Sequence, residues 1–205
     1  MELAARTGAW KPSGAPLPYD AEVEWIGMRG AQFFATGVQV DDSNSLAMEY
    51  DLLAASHLFG VGAITAGKWS TNSAQQITTK FKVLKTTARV DISVAIIGRH
   101  SLTVDSVDGV TIDGIHSAWN NDSDNTNTGE LLVGKCYWNG AYFANMNLYS
   151  FSVSRGGVAL GDFIPVRKDG IGFMYDRVSG QLFRNEGTGV FVIGPDVVSS
   201  RGGGC

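Results

Sequence analysis

Sugar recognition needs flat apolar ring faces for C–H stacking beside planar polar partners, and residues 116 to 145 concentrate both. The candidates are His116, Trp119, Tyr137, Trp138, Asn139, Tyr142 and Asn145. Neighbouring residues on a strand face opposite ways, so Tyr137 and Trp138 cannot line the same surface. Trp138-Asn139-Gly140 reads as a turn tip. Core filling is the competing role for every aromatic here. It weighs more on Tyr137 and Tyr142 than on Trp119 and Trp138, which lie beside polar loops. The expected ligand-binding set is therefore His116, Trp119, Trp138, Asn139, Tyr142 and Asn145. Nucleophilic catalysis is not invited: His57, His100 and His116 are scattered, and no Gly-x-Ser-x-Gly elbow occurs. Gly156-Gly157 and Gly187-Thr188-Gly189 lack the strand–loop–helix setting of a phosphate cradle and read as turns.

The elements that must position these residues are short strands. Leu46, Met48, Tyr50 and Leu52 alternate with Ala47, Glu49 and Asp51, a period of two that outranks the helix propensity of SLAMEYDLL. Val90, Ile92, Val94 and Ile96 repeat the pattern over Ala88–Ile97. Further strands are expected at Leu58–Ile64, Ile77–Leu84, Leu131–Trp138 and Ala141–Val153, with Ser70–Gln76 as a polar segment. Asp108-Gly109 and Asp113-Gly114 mark hairpins around Leu102–Val104 and Val110–Ile112.

In the stretch 148–195, Tyr149, Phe151 and Val153 are expected on one face and Ser150, Ser152 and Ser154 on the other. Arg155-Gly156-Gly157 supplies a tight turn into Val158–Val166, and Ile171–Tyr175, Gln181–Arg184 and Val190–Ile193 continue an antiparallel meander. Roughly a dozen short strands and no confident helix close most naturally as a two-sheet sandwich. Twenty-six glycines and modest charge fit a turn-rich globule, and 205 residues suffice for one core. A net charge of −4 argues against non-specific nucleic-acid binding, and no apolar run is long enough to span a bilayer.

The order LYSFSV, glycine turn, DFIPVRKDG, IGFMYDRVSGQLF and NEGTGVFVIGP resembles the C-terminal signature of a concanavalin A-like, laminin-G-like module. AEVEWIGMRGAQFFATGVQV, residues 21–40, is similar to the entry strands of such modules. The resemblance implies a two-sheet antiparallel jelly roll over residues 19–196, between a Pro/Gly-rich arm (1–18) and a tail (197–205). Modules of this kind occur in bacteriophage tail and fibre proteins and in surface proteins of gut bacteria. The implied function is non-catalytic binding of a cell-surface glycan, or docking to other subunits of a virion or appendage, copies of this chain included.

Glucanase relatives would need Glu-x-Asp-x-x-Glu. Glu49-Tyr50-Asp51-Leu52-Leu53-Ala54 carries alanine at the third carboxylate position, and Glu22 and Glu24 read as a solvated pair on one strand face. Lectin-like relatives also hold Ca²⁺ at the rim, for which Asn120, Asp122 and Asp124 are the candidate ligands, although their loop fails the twelve-residue calcium pattern. Cys136 is expected as a buried thiol, with pairing to Cys205 as the alternative. MELAARTGAWKPSG lacks the basic start and apolar run of a secretory signal. The expected setting is a virion tail made in the cytoplasm, or a cell surface reached as part of a longer exported polypeptide.

Overall fold

The structure, a computed structural model, describes residues 16–40, 43–61, 73–77, 80–85, 88–93, 97–105, 107–119, 129–137 and 141–198. All regular structure in them is β. The first strands are β1 (Ala21–Glu22), β2 (Ile26–Arg29), β3 (Phe34–Val40), β4 (Asn44–Leu52) and β5 (Ser56–Val61). Then come β6 (Ser73–Ile77), β7 (Lys80–Lys85), β8 (Ala88–Ser93), β9 (Gly98–Asp105), β10 (Gly109–Ile112) and β11 (Ile115–Ala118). The last are β12 (Gly129–Val133), β13 (Lys135–Tyr137), β14 (Ala141–Phe143), β15 (Asn145–Arg155), β16 (Val158–Lys168), β17 (Ile171–Asp176), β18 (Leu182–Phe183) and β19 (Val192–Ile193). No helix among the described residues is long and apolar enough to cross a membrane.

Two antiparallel sheets make a β-sandwich. The larger runs β11-β10-β9-β4-β15-β16-β17-β18, with β1 against β16 and β2 between β15 and β19. The smaller runs β3-β12-β5-β6-β7-β8, and β13 and β14 form a separate ribbon. Strand alternation decides what each sheet buries. On β4, Leu46, Met48, Tyr50 and Leu52 are buried, as their period predicts, while Ser45, Ala47, Glu49 and Asp51 are half-exposed. Phenylalanines fill the space between the sheets: Phe34 and Phe59 from the small sheet, Phe151 and Phe163 from the large one. Ring centroids lie 5.5 Å apart for Phe34–Phe163, 6.3 Å for Phe59–Phe151 and 6.1 Å for Phe151–Phe163, ordinary tilted aromatic packing.

β15 is the strand to which the large sheet is tied. One edge pairs with β4 from Asn44 to Leu52. The other edge is divided: Asn145–Leu148 pairs with β2, and Phe151–Arg155 pairs with β16. Beyond Phe163, β16 leaves β15 and is flanked by β1 and β17. Pro165 stands where the parting has happened. Its carbonyl accepts from the Val23 amide at 3.1 Å. A strand residue's N and C=O point to the same side, so the donor that proline lacks falls at this hand-over and not in an intact ladder.

Several sequence expectations change. Within the polar Ser70–Gln76 segment and the Ile77–Leu84 run, the described residues pair as a hairpin, Ser73–Ile77 (β6) with Lys80–Lys85 (β7). Leu131–Trp138 divides at Gly134, whose φ of +88° suits glycine and whose missing Cβ leaves room for Met28 Sδ. Val190–Ile193 does not extend the meander, because β19 crosses to pair with β2.

The most consequential change is in β15. Leu148 pairs with Tyr50 and Ser150 with Glu49, so Tyr149 is an extra residue, a β-bulge. The bulge shifts the parity. Tyr149 and Ser150 are both half-exposed, while Phe151 and Val153 are buried. Tyr149 therefore does not share a face with Phe151. Turn expectations hold: Gly156 and Gly157 have φ of +55° and +80°, and Asp113 and Gly114 have +52° and +79°.

The parity shift gives a direct stability test. Phe151→Ala removes a fully buried ring and should cost about 3–5 kcal/mol in urea unfolding. Tyr149→Ala, two residues away on the solvent face, should cost less than about 1 kcal/mol.

Candidate functional site

The outer face of the large sheet is where the polar side chains of β9, β4, β15 and β2 come together. Cross-strand register sets Arg99 opposite Asp51, Asp51 opposite Asn147, and Asn147 opposite Gly27. One row along, Ser101 faces Glu49 and Glu49 faces Ser150, with Tyr149 inserted beside it by the bulge. An open hollow of about 480 Å³ lies there, lined by Glu24, Glu49, Arg99, Tyr149 and Ser150. Glu24 comes from the segment between β1 and β2, which is held in place by Glu24 N donating to Pro195 O at 2.8 Å.

The hollow has a specific internal geometry. The Arg99 guanidinium carbon sits 3.4 Å from the Tyr149 ring centroid, van der Waals stacking distance. Arg99 Nη2 reaches Glu49 Oε2 at 3.4 Å, a long contact between groups that are 55% and 43% exposed. Such a pair is worth at most about 1 kcal/mol. The remaining Arg99 N–H groups, the Tyr149 and Ser150 hydroxyls and the Glu24 carboxylate have no side-chain or backbone partner among the described residues. They present open donors and acceptors around one aromatic ring.

A second arginine on this face is differently placed. Arg29 donates to Asn147 Oδ1 at 2.8 Å and to the carbonyls of Met146 and Met28, each at 3.0 Å. It can fold back this way because Gly27 has no side chain, and an added Cβ there would lie 2.6 Å from Arg29 Nη2. Burial pushes the Arg29 guanidinium below its usual pKa, and the nearby Asp51 charge partly opposes that shift. The Trp25 ring lies 5.9 Å from the same guanidinium.

The residues expected from sequence to bind ligand are elsewhere. His116 is exposed on β11, with Nδ1 3.1 Å from Thr111 Oγ1. Trp119 is half-buried against the core, and its indole N–H donates to Asp105 O at 2.8 Å. Tyr142 is 41% exposed and stacks on His57 with ring centroids 4.6 Å apart. Asn145 donates its backbone N–H to Ser56 Oγ at 3.2 Å, and its buried Oδ1 has no hydrogen-bond partner among the described residues. His116 is on β11 and Trp119 directly follows it, whereas Tyr142 is on β14 and Asn145 begins β15. Trp138 and Asn139, and the calcium candidates Asn120, Asp122 and Asp124, lie outside the described residues. Among the described residues no group of three or more His, Cys, Asp or Glu is placed to hold a metal ion. Cys136 is buried, and Cys205 lies outside the described residues.

Of the acidic residues weighed for hydrolysis, Glu49 and Asp51 share the outer face of β4, and Ala54 follows after the strand has ended. Glu22 and Glu24 diverge: Glu22 accepts from the Tyr19 hydroxyl at 3.1 Å, while Glu24 turns to the hollow. Arg99 and Tyr149 were not singled out by sequence. The exposed parity of Arg99 against His100, Leu102 and Val104 was readable, but the bulge that turns Tyr149 toward it was not.

No protein-family model matches this chain, and no curated protein is detectably similar to it.

Two substitutions test the geometry. Gly27→Ala should displace Arg29 from Asn147 and cost about 1–2 kcal/mol; combined with Arg29→Ala the losses should not add, as a double-mutant cycle would show. Trp119→Ala should lower stability by about 2–3 kcal/mol in thermal or urea unfolding, since it removes core packing and a satisfied indole.

Proposed function

We propose that this chain is a non-catalytic recognition module that binds a cell-surface glycan, with the outer-face hollow as its binding site. The observation that carries the reading is the bulge at Tyr149. It sets the Tyr149 ring and the Ser150 hydroxyl together on the outer face, at an open depression that also holds an exposed guanidinium and two carboxylates. Saccharides are bound by this combination of ring face, planar donors and carboxylate acceptors. The antiparallel sandwich supports the finer architectural proposal of a concanavalin A-like, laminin-G-like jelly roll. The resemblance noted above supplies the setting proposed with it, a phage tail, fibre or comparable surface appendage.

The catalytic alternative has one observation in its favour: Glu24, from the segment between β1 and β2, and Glu49, from β4, line the same hollow. Against it, the glucanase pattern has alanine at position 54. Release of reducing sugar from β-glucans should be absent, and its appearance would reverse this assignment. A purely structural module is the other alternative, favoured by Ile171, Val190 and Val192, which are 48%, 65% and 41% exposed in and beside β17 and β19.

A glycan array on the intact chain tests the reading directly. Binding is expected, and Tyr149→Ala should weaken it by about 1–3 kcal/mol with little change in melting temperature. Binding that survives Tyr149→Ala unchanged would place the site elsewhere. An array with no binding, together with concentration-dependent oligomers by light scattering, would favour the structural role.

A further inference from the structure

We infer that the outer-face hollow selects saccharides carrying a free amino group, hexosamines above all, over acidic and N-acylated ones. The inference rests on the glycan-binding reading and adds the ligand class to it. Its basis is the charge left unengaged. The lining holds two carboxylates, Glu24 and Glu49, against one guanidinium, Arg99. Arg99 is already shared: one face lies on Tyr149, and Nη2 points to Glu49. Asp51 stands opposite Arg99 in register and adds a further negative charge. Arg29 keeps its positive charge and offsets nearby Asp51, but its guanidinium is directed to Met28 O, Met146 O and Asn147 Oδ1 and does not line the hollow, so the lining itself carries one excess negative charge.

Glu24 is thus the lining charge with no side-chain partner among the described residues, and it is exposed. A sugar carboxylate entering here meets two carboxylates, Glu24 and Glu49, around one engaged guanidinium, and like charges brought together suppress that partner. An ammonium finds the opposite. One or two of its donors can be accepted by the Glu24 carboxylate, and the sugar hydroxyls are left for Ser150, the Tyr149 hydroxyl and the outer N–H groups of Arg99. N-acylation removes the charge and with it the attraction to Glu24.

Calorimetric titration of the intact chain with tetramers of glucosamine, N-acetylglucosamine and galacturonic acid tests this. The glucosamine tetramer should bind about tenfold or more tighter than the other two. Its affinity should fall about tenfold in Glu24→Gln and weaken as ionic strength rises, with the melting temperature unchanged. Equal or better binding of either other tetramer, or glucosamine binding indifferent to Glu24→Gln, overturns amine selection and leaves the glycan reading standing. If none of the three binds while a broader array reports a Tyr149-dependent glycan, amine selection alone falls. If the array is also silent, both readings fall.

Discussion

A strand residue can hydrogen-bond to two neighbours, and in this protein both edges of β15 are claimed. β4 takes one edge over the whole strand, while β2 and β16 divide the other. The division forces a hand-over, because two strands cannot occupy one edge at the same height. β2 ends its pairing at Leu148, and β16 begins at Phe151. Tyr149 and Ser150 lie between, and on the β4 side they are the two residues of the bulge. The hand-over and the bulge are thus one structural event seen from two edges.

That event sets both faces of the sheet. Without the extra residue, alternation would leave Phe151 and Tyr149 on the same side. With it, Phe151 joins the ring cluster that seals the two sheets, and Tyr149 turns outward to lie under Arg99. Buried and exposed roles are thereby separated on neighbouring residues. The buried rings carry the large apolar contribution, while the exposed groups around the hollow contribute little to folding and remain open to solvent.

The two arginines of the outer face show how local packing decides chemical role. Arg29 lies across Gly27 and is drawn into backbone carbonyls and Asn147, so it acts as a structural clamp between β2 and β15. Arg99 projects from β9 with only a long contact to Glu49 and a ring beneath it. The same residue type is fastened in one case and presented in the other. What differs is the absence of a Cβ at a neighbouring position and the reach to backbone carbonyls.

Much of the body plan was legible in the amino-acid sequence. Period-two alternation gave β4 and its buried set against a competing helix propensity, and the Asp113-Gly114 and Gly156-Gly157 pairs gave their turns, because both signals are local. The β6–β7 hairpin was not legible, since its first strand, Ser-Ala-Gln-Gln-Ile, has no apolar period to read. Nor was the pairing of β19 with β2, which joins residues more than 160 positions apart. The candidate site lies on the same divide. Alternation placed Glu49 and Asp51 on the outer face of β4, while the residues expected to bind ligand lie in the aromatic-rich stretch from residue 116 to 145, where Trp119 is half-buried against the core. Residue types and local period determined which strands form and which faces are apolar. The meeting of Glu24, Glu49, Arg99 and Tyr149 was decided by tertiary structure alone, because a one-residue bulge is set by how three partner strands share β15, and no local pattern in β15 records its neighbours.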